Sequence, residues 1–274
     1  MRFLFLGTGT SAGIPAIACS CPVCTSTDPR DNRLRCSAAV TFTDAGGEER
    51  VILIDAGPDL RQQALRFGLT RCDAILFTHN HVDHTFGLDE VRRFNVVMQR
   101  PIPIYAEPHT LEHLRRVYRH IFDREQNVND SFVATLLAHR IEPADVAAGT
   151  PLELHGMRFT PVRFIHGKLP VLGFRIEPVK GPAGPFPLAY CTDVSAVPPE
   201  SWARLAGVRT LVIDALRHRR HPTHLTVGQA VSISHEVKAR QTFLIHMTHD
   251  LGHAQTEAEL PPDVRLAFDG LVLE

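Results

Sequence analysis

The sequence carries no excess of either charge. Lys and Arg number 29 against 30 Asp and Glu, a formal net charge of −1. That balance excludes the broad electrostatic attraction that gathers nucleic acid or an acidic membrane surface. No inserted basic arm offsets it locally, so nucleic acid is not an expected partner. No apolar run approaches the ~20 residues that cross a bilayer, so no membrane association is expected. A secretion signal is absent from the reading as well. The apolar start Met1–Leu6 is cut by Gly7-Thr8-Gly9-Thr10, too short for a signal core even with Ala18-Cys19 as a cleavage pair. It reads better as a first strand. The glycine turn that follows, Gly7 to Gly13, lacks the lysine of a P-loop. Two readings stay open for it: a phosphate cradle, or a place where backbone passes close to a site.

What is present begins with cysteine placement. Three of six cysteines are packed as Cys19-x-Cys21-x-x-Cys24. Neighbours this close favour a metal over three separate bridges, and a reducing cytoplasm is the consistent compartment. Three thiolates are one ligand short of a closed tetrahedral zinc site, and a histidine from elsewhere is the natural fourth. Buried or redox-active thiols are the alternative.

The densest signal is Phe77-Thr78-His79-Asn80-His81-Val82-Asp83-His84, directly after the apolar run Ala74–Phe77. His79 and His81 are two apart, so an extended backbone points both to one side. Asp83 and His84 can turn back on a second centre. Imidazole with carboxylate suits zinc, manganese or iron, and loops at the ends of buried strands are where functional groups collect. Gly87 is expected to make a tight turn into the next helix.

The same placement recurs down the chain. Apolar strands end in His166-Gly167, in Thr192-Asp193, in Asp214 and in His246-Met247-Thr248-His249. Strand ends on one rim of a sheet converge in space, as α/β folds require of their active sites. Asp55 also closes a strand, where it either anchors a ligating histidine or caps the following helix. His224 stands just before Thr226, the expected N-cap of a helix running to about Ala239. Two other features read as solvated. The loop Asp28–Arg35, with Arg30, Arg33 and Arg35, is one, although one arginine could hold a substrate phosphate. The helix Pro108–Ile121 carries His109-x-x-Glu112-His113, a peptidase-like spacing without a nearby partner ligand, read as an exposed face. Residues 123–160 are mixed, with no repeat.

The H-x-H-x-D-H motif with its later His, Asp and His resembles the metallo-β-lactamase superfamily. The run Gly7-Thr8-Gly9-Thr10-Ser11-x-Gly13-x-Pro15, the cysteine trio and His246-x-x-His249 are most similar to its PhnP-like phosphodiesterase branch. The resemblance implies a single domain over 1–274 of the α/β (α+β) class, an αββα sandwich of two mixed sheets flanked by helices. It implies one metal on His79, His81 and His166, another on Asp83, His84 and His246, and Asp193 bridging. A structural zinc would take Cys19, Cys21, Cys24 and His249. A hydroxide between two divalent metals (zinc, manganese or iron) would attack a small cyclic or diester phosphate, for which 5-phosphoribosyl 1,2-cyclic phosphate is a candidate. His224 would be the general acid, Asp83 would orient the nucleophile, and Asp214, His218 and His221 are either pocket residues or surface. The oligomeric state is left open, a homodimer being one option. Competing readings are a tRNase Z-like nuclease, a PqqB-like cofactor-biosynthesis protein and a non-catalytic metal-binding module.

Overall fold

Strands dominate because short apolar runs of four to six residues alternate with turn residues, a period too short for a bundle of helices. The computed structural model describes residues 1–127, 131–181 and 183–274. Among the described residues there are two seven-stranded sheets. The first is built from β1 (Arg2–Gly7), β2 (Ser37–Thr43), β3 (Glu49–Ile54), β4 (Ala74–Leu76), β5 (Ile102–Ala106), β6 (Leu136–Arg140) and β14 (Val272–Leu273), in the order β14-β1-β2-β3-β4-β5-β6. The second comprises β7 (Leu152–Leu154), β8 (Met157–His166), β9 (Leu169–Pro178), β10 (Leu188–Cys191), β11 (Thr210–Asp214), β12 (Gln241–Ile245) and β13 (Val264–Leu266), in reverse chain order from β13 to β7. Both sheets are mixed. Each joins hairpin-linked antiparallel strands to a run of parallel ones, β3 to β6 in the first and β10 to β13 in the second.

Three apolar layers hold the sandwich. The central one interdigitates Phe3, Phe5, Ile52 and Ile54 with Phe159, Phe174, Leu188 and Val212 between the sheets. Each such fully buried side chain contributes about 1.5–3 kcal/mol from removal of apolar surface. The outer layers lie under helices α1 (Leu60–Arg66), α3 (Arg92–Met98) and α4 (Pro108–Val117) on the first sheet. On the second they lie under α7 (Pro199–Leu205) and α8 (Val227–Val237). Short helices α2 (Val82–Thr85), α5 (Arg119–Phe122), α6 (Pro143–Ala148) and α9 (His253–Glu259) complete the α-helices among the described residues. No helix among the described residues is long and apolar enough to cross a membrane.

Several local expectations are corrected. The helix expected to run from Pro108 to Ile121 breaks at Tyr118, and the one expected from Leu88 opens as a 3-10 turn, Leu88–Val91. The stretch 123–160 contains an edge strand, a helix and a hairpin strand; β6 is mostly exposed, which erased the apolar alternation that announces a strand. Residues 128–130 of that stretch lie outside the described residues. Helices α7 and α9 were not expected, because His253–Glu259 offers no apolar stripe.

Candidate metal centres

Every strand that delivers a candidate ligand ends on the same rim. His79 follows β4, His166 ends β8, Asp193 follows β10 and His246 follows β12. The chain must then leave the sheet abruptly. Asp55, Asp193 and His246 do so with φ of 63°, 54° and 61°, a left-handed conformation that non-glycine residues rarely adopt. Such residues cost of order 1–3 kcal/mol each and persist where surrounding packing imposes them.

Asp193 stands at the middle of the cluster with its two carboxylate oxygens facing opposite ways. Oδ2 lies 3.7 Å from Nε2 of His79 and 3.7 Å from Nε2 of His166. Oδ1 lies 3.2 Å from Nε2 of His84 and 3.3 Å from Nε2 of His246. Asp83 faces the second pair, 3.3 Å from His84 and 3.9 Å from His246. His79, His81, His166 and Asp193 therefore form one group with ligand atoms within 4.8 Å of one another, and Asp83, His84 and His246 form another. His81 is the exposed member and marks the mouth.

Oxygens behind the imidazoles fix which nitrogen faces inward. Nδ1 of His84 donates to Asp55 (2.7 Å), Nδ1 of His166 donates to the Thr223 carbonyl (2.6 Å), and Nδ1 of His79 sits 2.9 Å from the Thr78 hydroxyl. Asp55 also accepts the backbone N–H and hydroxyl of Thr78, so one buried carboxylate steadies two candidate ligands. Its place behind His84 settles the choice between anchor and helix cap. Thr78 is a bracing residue that spacing alone did not single out.

The fit to cations is electrostatic as well as geometric. Nε2 of His79, His84 and His246 is buried without a hydrogen-bond partner, a costly state that a ligated metal relieves. Burial would raise Asp83 and Asp193, yet the neighbouring imidazoles hold both carboxyls far below the usual range. Burial would likewise lower His84 and His246, but the Asp193 carboxylate drives both up, His246 to about 9. The Asp83, His84 and His246 half thus has a field that draws positive charge inward, while burial holds His79, His81 and His166 below the usual imidazole range.

The second group stands at the edge of the molecule. Nδ1 of His249 is 3.1, 3.5 and 3.4 Å from Sγ of Cys19, Cys21 and Cys24. Zinc bonds of about 2.3 Å to sulfur and 2.1 Å to nitrogen put such atoms roughly 3.6 Å apart on a tetrahedron, so the donor set fits. The Cys24 backbone N–H lowers the Cys21 thiol to about 7, whereas burial pushes Cys24 up to about 11.

His224 lies between the two halves. Its ring is 4.6 Å from that of His166 and stacks at 4.6 Å on that of His246, while Nδ1 donates to Asp214 at 2.7 Å. His221 neighbours it, with ring centroids 5.3 Å apart. His218 does not join them; it is exposed and points toward Glu259, 4.0 Å away.

The readings of solvated segments need two corrections. Arg33 is 1% exposed. Its guanidinium donates to the carbonyls of Thr248 and Leu251 and to Asp31, clamping the loop that carries His249; five donors in a fork allow the charge to be buried. His109 and His113 are half-buried rather than solvated, with Nε2 of each shielded, and His113 stacks on Phe86 at 6.4 Å. No ligand group of three among the described residues includes either. The glycine features act by close approach. A Cβ at Gly7 would lie 2.0 Å from the Arg35 carbonyl, and one at Gly87 would lie 1.9 Å from that of Gly57. Gly87 thus sits in the expected turn into Leu88–Val91 and also packs against the 55–58 loop.

Comparison with known proteins adds a family. A family model described as a beta-lactamase superfamily domain matches residues 50–247. A solved structure described as a new diphosphatase from the PhnP family is 39% identical, with a TM-score of 0.85, covering 100% of this chain and 97% of that one. Zinc-bound PqqB from Methylobacterium extorquens is 21% identical with a TM-score of 0.74, covering 100% of each chain, a likeness of fold. A Porphyromonas gingivalis protein named octanoyltransferase is 35% identical over 273 residues, 99% of this chain. The chain spans 51% of that relative's length.

Proposed function

This chain belongs to the metallo-β-lactamase superfamily, in its PhnP-like branch, and from that premise we propose a metal-dependent phosphodiesterase acting on small cyclic or diester phosphates. A cyclic phosphate of ribose, such as 5-phosphoribosyl 1,2-cyclic phosphate, is the substrate the branch suggests. The observation that carries the reading is the division of Asp193 between two pairs of imidazoles, 3.7 Å on one side and 3.2–3.3 Å on the other. His79, His81 and His166 would hold one metal, Asp83, His84 and His246 the other, with Asp193 between them. The nitrogen and oxygen donors accept zinc, manganese or iron. Bound divalent ions supply Lewis acidity toward a phosphoryl oxygen and a lowered pKa for water.

The chain's own residues do the rest. With Nδ1 engaged by Asp214, His224 keeps Nε2 for proton transfer, and its ring borders both half-sites, where it can protonate a departing alkoxide. The N-terminus of α8 begins three residues later at Val227, and its dipole favours a phosphate anion nearby. Asp83, whose Oδ2 faces His84 and His246, would orient the attacking water with its other oxygen. Together these act on a bond to phosphorus, the proton going from His224 to the leaving oxygen.

The name of the Porphyromonas relative belongs to a chain about twice as long, so its transferase activity is not carried to this chain. A phosphoanhydride is a second reading, favoured by the 39% identical structure named a diphosphatase. Metal analysis with bis-p-nitrophenyl phosphate tests the main one. Two metals per chain beside the structural zinc should accompany turnover; a fully loaded protein without turnover sinks it. Faster hydrolysis of a thiolester or β-lactam than of diesters would also overturn it.

A further inference from the structure

Both half-sites depend on one carboxylate, so whatever orients Asp193 decides how the centre is divided. The backbone around it is pinned. Cys191, two residues before, closes the β10 ladder opposite Ile213. The Val194 N–H donates to Oδ2 of Asp214 at 2.8 Å, and the Ser195 N–H donates to the Ile165 carbonyl at 2.7 Å. The Ser195 hydroxyl donates to that same carbonyl at 2.8 Å and accepts the Gly167 N–H at 2.9 Å. The turn of Asp193 is thereby laced to the loop of His166. Asp193 itself is left-handed, with φ of 54°. What these bonds leave free is its side-chain torsion.

Thr192 acts on that torsion. It is 0% exposed, and its hydroxyl donates to Oδ1 of Asp193 at 2.7 Å. Oδ1 is the oxygen that faces His84 and His246, at 3.2 and 3.3 Å, while Oδ2 faces His79 and His166. A hydrogen bond to an ionised carboxylate is roughly twice as strong as one between neutral groups, and burial strengthens it further. The hydroxyl therefore distinguishes the two oxygens. Holding Oδ1 toward the second pair leaves Oδ2 aimed at the first. The halves do not depend on Asp193 equally. Asp83 gives the half of His84 and His246 a carboxylate of its own, whereas Asp193 is the one acid in the group with His79, His81 and His166.

We propose that Thr192 is a positioning residue whose hydroxyl fixes how Asp193 is divided between the half-sites, and so retains the metal of the three-imidazole half. The inference rests on the two-metal reading of the same site. Thr192 acts through Asp193, as Asp55 acts through His84. Loss of an outer-shell hydrogen bond of this kind weakens metal affinity by about 10–100-fold.

Thr192→Val deletes the hydroxyl and keeps the β-branched shape, and chelator competition reads the result. In the metal-loaded protein, Thr192→Val should release one metal per chain at a chelator concentration about 10-fold or more below that which strips the unmutated protein. Thr192→Ser, which keeps the hydroxyl, should hold both metals nearly as the parent does. With manganese in both half-sites, electron paramagnetic resonance should show a spin-coupled pair in the parent and in Thr192→Ser, and uncoupled ions in Thr192→Val. Parent-like retention with an intact coupled signal in Thr192→Val overturns the proposal. Equal loss in Thr192→Ser and Thr192→Val also overturns it, since packing alone would then explain the position. NMR of the threonine-labelled, unmutated chain reads the contact whether or not a variant folds. A Thr192 hydroxyl proton protected from exchange supports the proposal, and one exchanging freely with water overturns it. An unmutated chain that binds no pair of metals instead defeats the underlying function reading.

Discussion

The two candidate metal centres are three residues apart in sequence, at His246 and His249, yet they are built on opposite principles. The His/Asp cluster is set on strand ends of both sheets, and Asp55, Thr78 and the Thr223 carbonyl brace its imidazoles from behind. Most of its ligands are buried, and the sandwich core fixes their backbones. The Cys19, Cys21, Cys24 and His249 group lies on two irregular loops, with only Cys24 buried. Little but its own donors and the Arg33 clamp holds it. A scaffold thus organises the first site, whereas a zinc held by its donors would stabilise the second.

Removing the central carboxylate should separate the two most sharply. Asp193→Ala is expected to reduce phosphodiester turnover by about 10³-fold or more while circular dichroism and the thermal transition stay near those of the parent. Turnover within tenfold of the parent would end the bridging role.

The complementary change lies in the cysteine loop. Cys21→Ser should lower Tm by roughly 10 °C, for about 3–5 kcal/mol at 2–4 °C per kcal/mol, and leave turnover per folded molecule within a few-fold. Equal loss of activity per folded molecule in the two variants would erase the contrast.

A smaller effect concerns the elements that back the cysteine loop. His253 opens α9, and its backbone N–H donates to Asp31, the partner of Arg33. Burial, then the charges of Arg30 and Arg33, lower its pKa to about 4 from 6.5. A depressed folded-state value means that the neutral ring's contribution is complete above pH 6.5 and is lost as pH falls toward 4. His253→Gln should flatten that acid loss by about 1 kcal/mol, or roughly 2–4 °C, once solvent screening is discounted. Parallel Tm–pH curves for variant and parent would reject this.

Much of the site was legible because ligands were set against apolar runs. The alternation that makes β4, β8, β10 and β12 also marks His79, His166, Asp193 and His246 as groups arriving on one rim. Arg33 escaped the reading because nothing in Asp28–Arg35 signals burial. Its partners, the carbonyls of Thr248 and Leu251, lie more than two hundred residues away. The spacing of His109 and His113 suggested a ligand pair or a solvated face, and packing against Phe86 made it neither.

The sequence by itself determined the local units: which runs become strands, which residues stand at their ends, and the donor types of both centres. These follow from backbone period and side-chain chemistry, which act over a few residues. Tertiary structure alone decided how those donors are shared. It gave each Asp193 oxygen its own pair of imidazoles, put Asp55 behind His84, and set Asp214 behind His224. Those choices depend on the register of β10, β11 and β12 and on three left-handed residues at the rim. Long-range packing imposes both, and no local pattern encodes them.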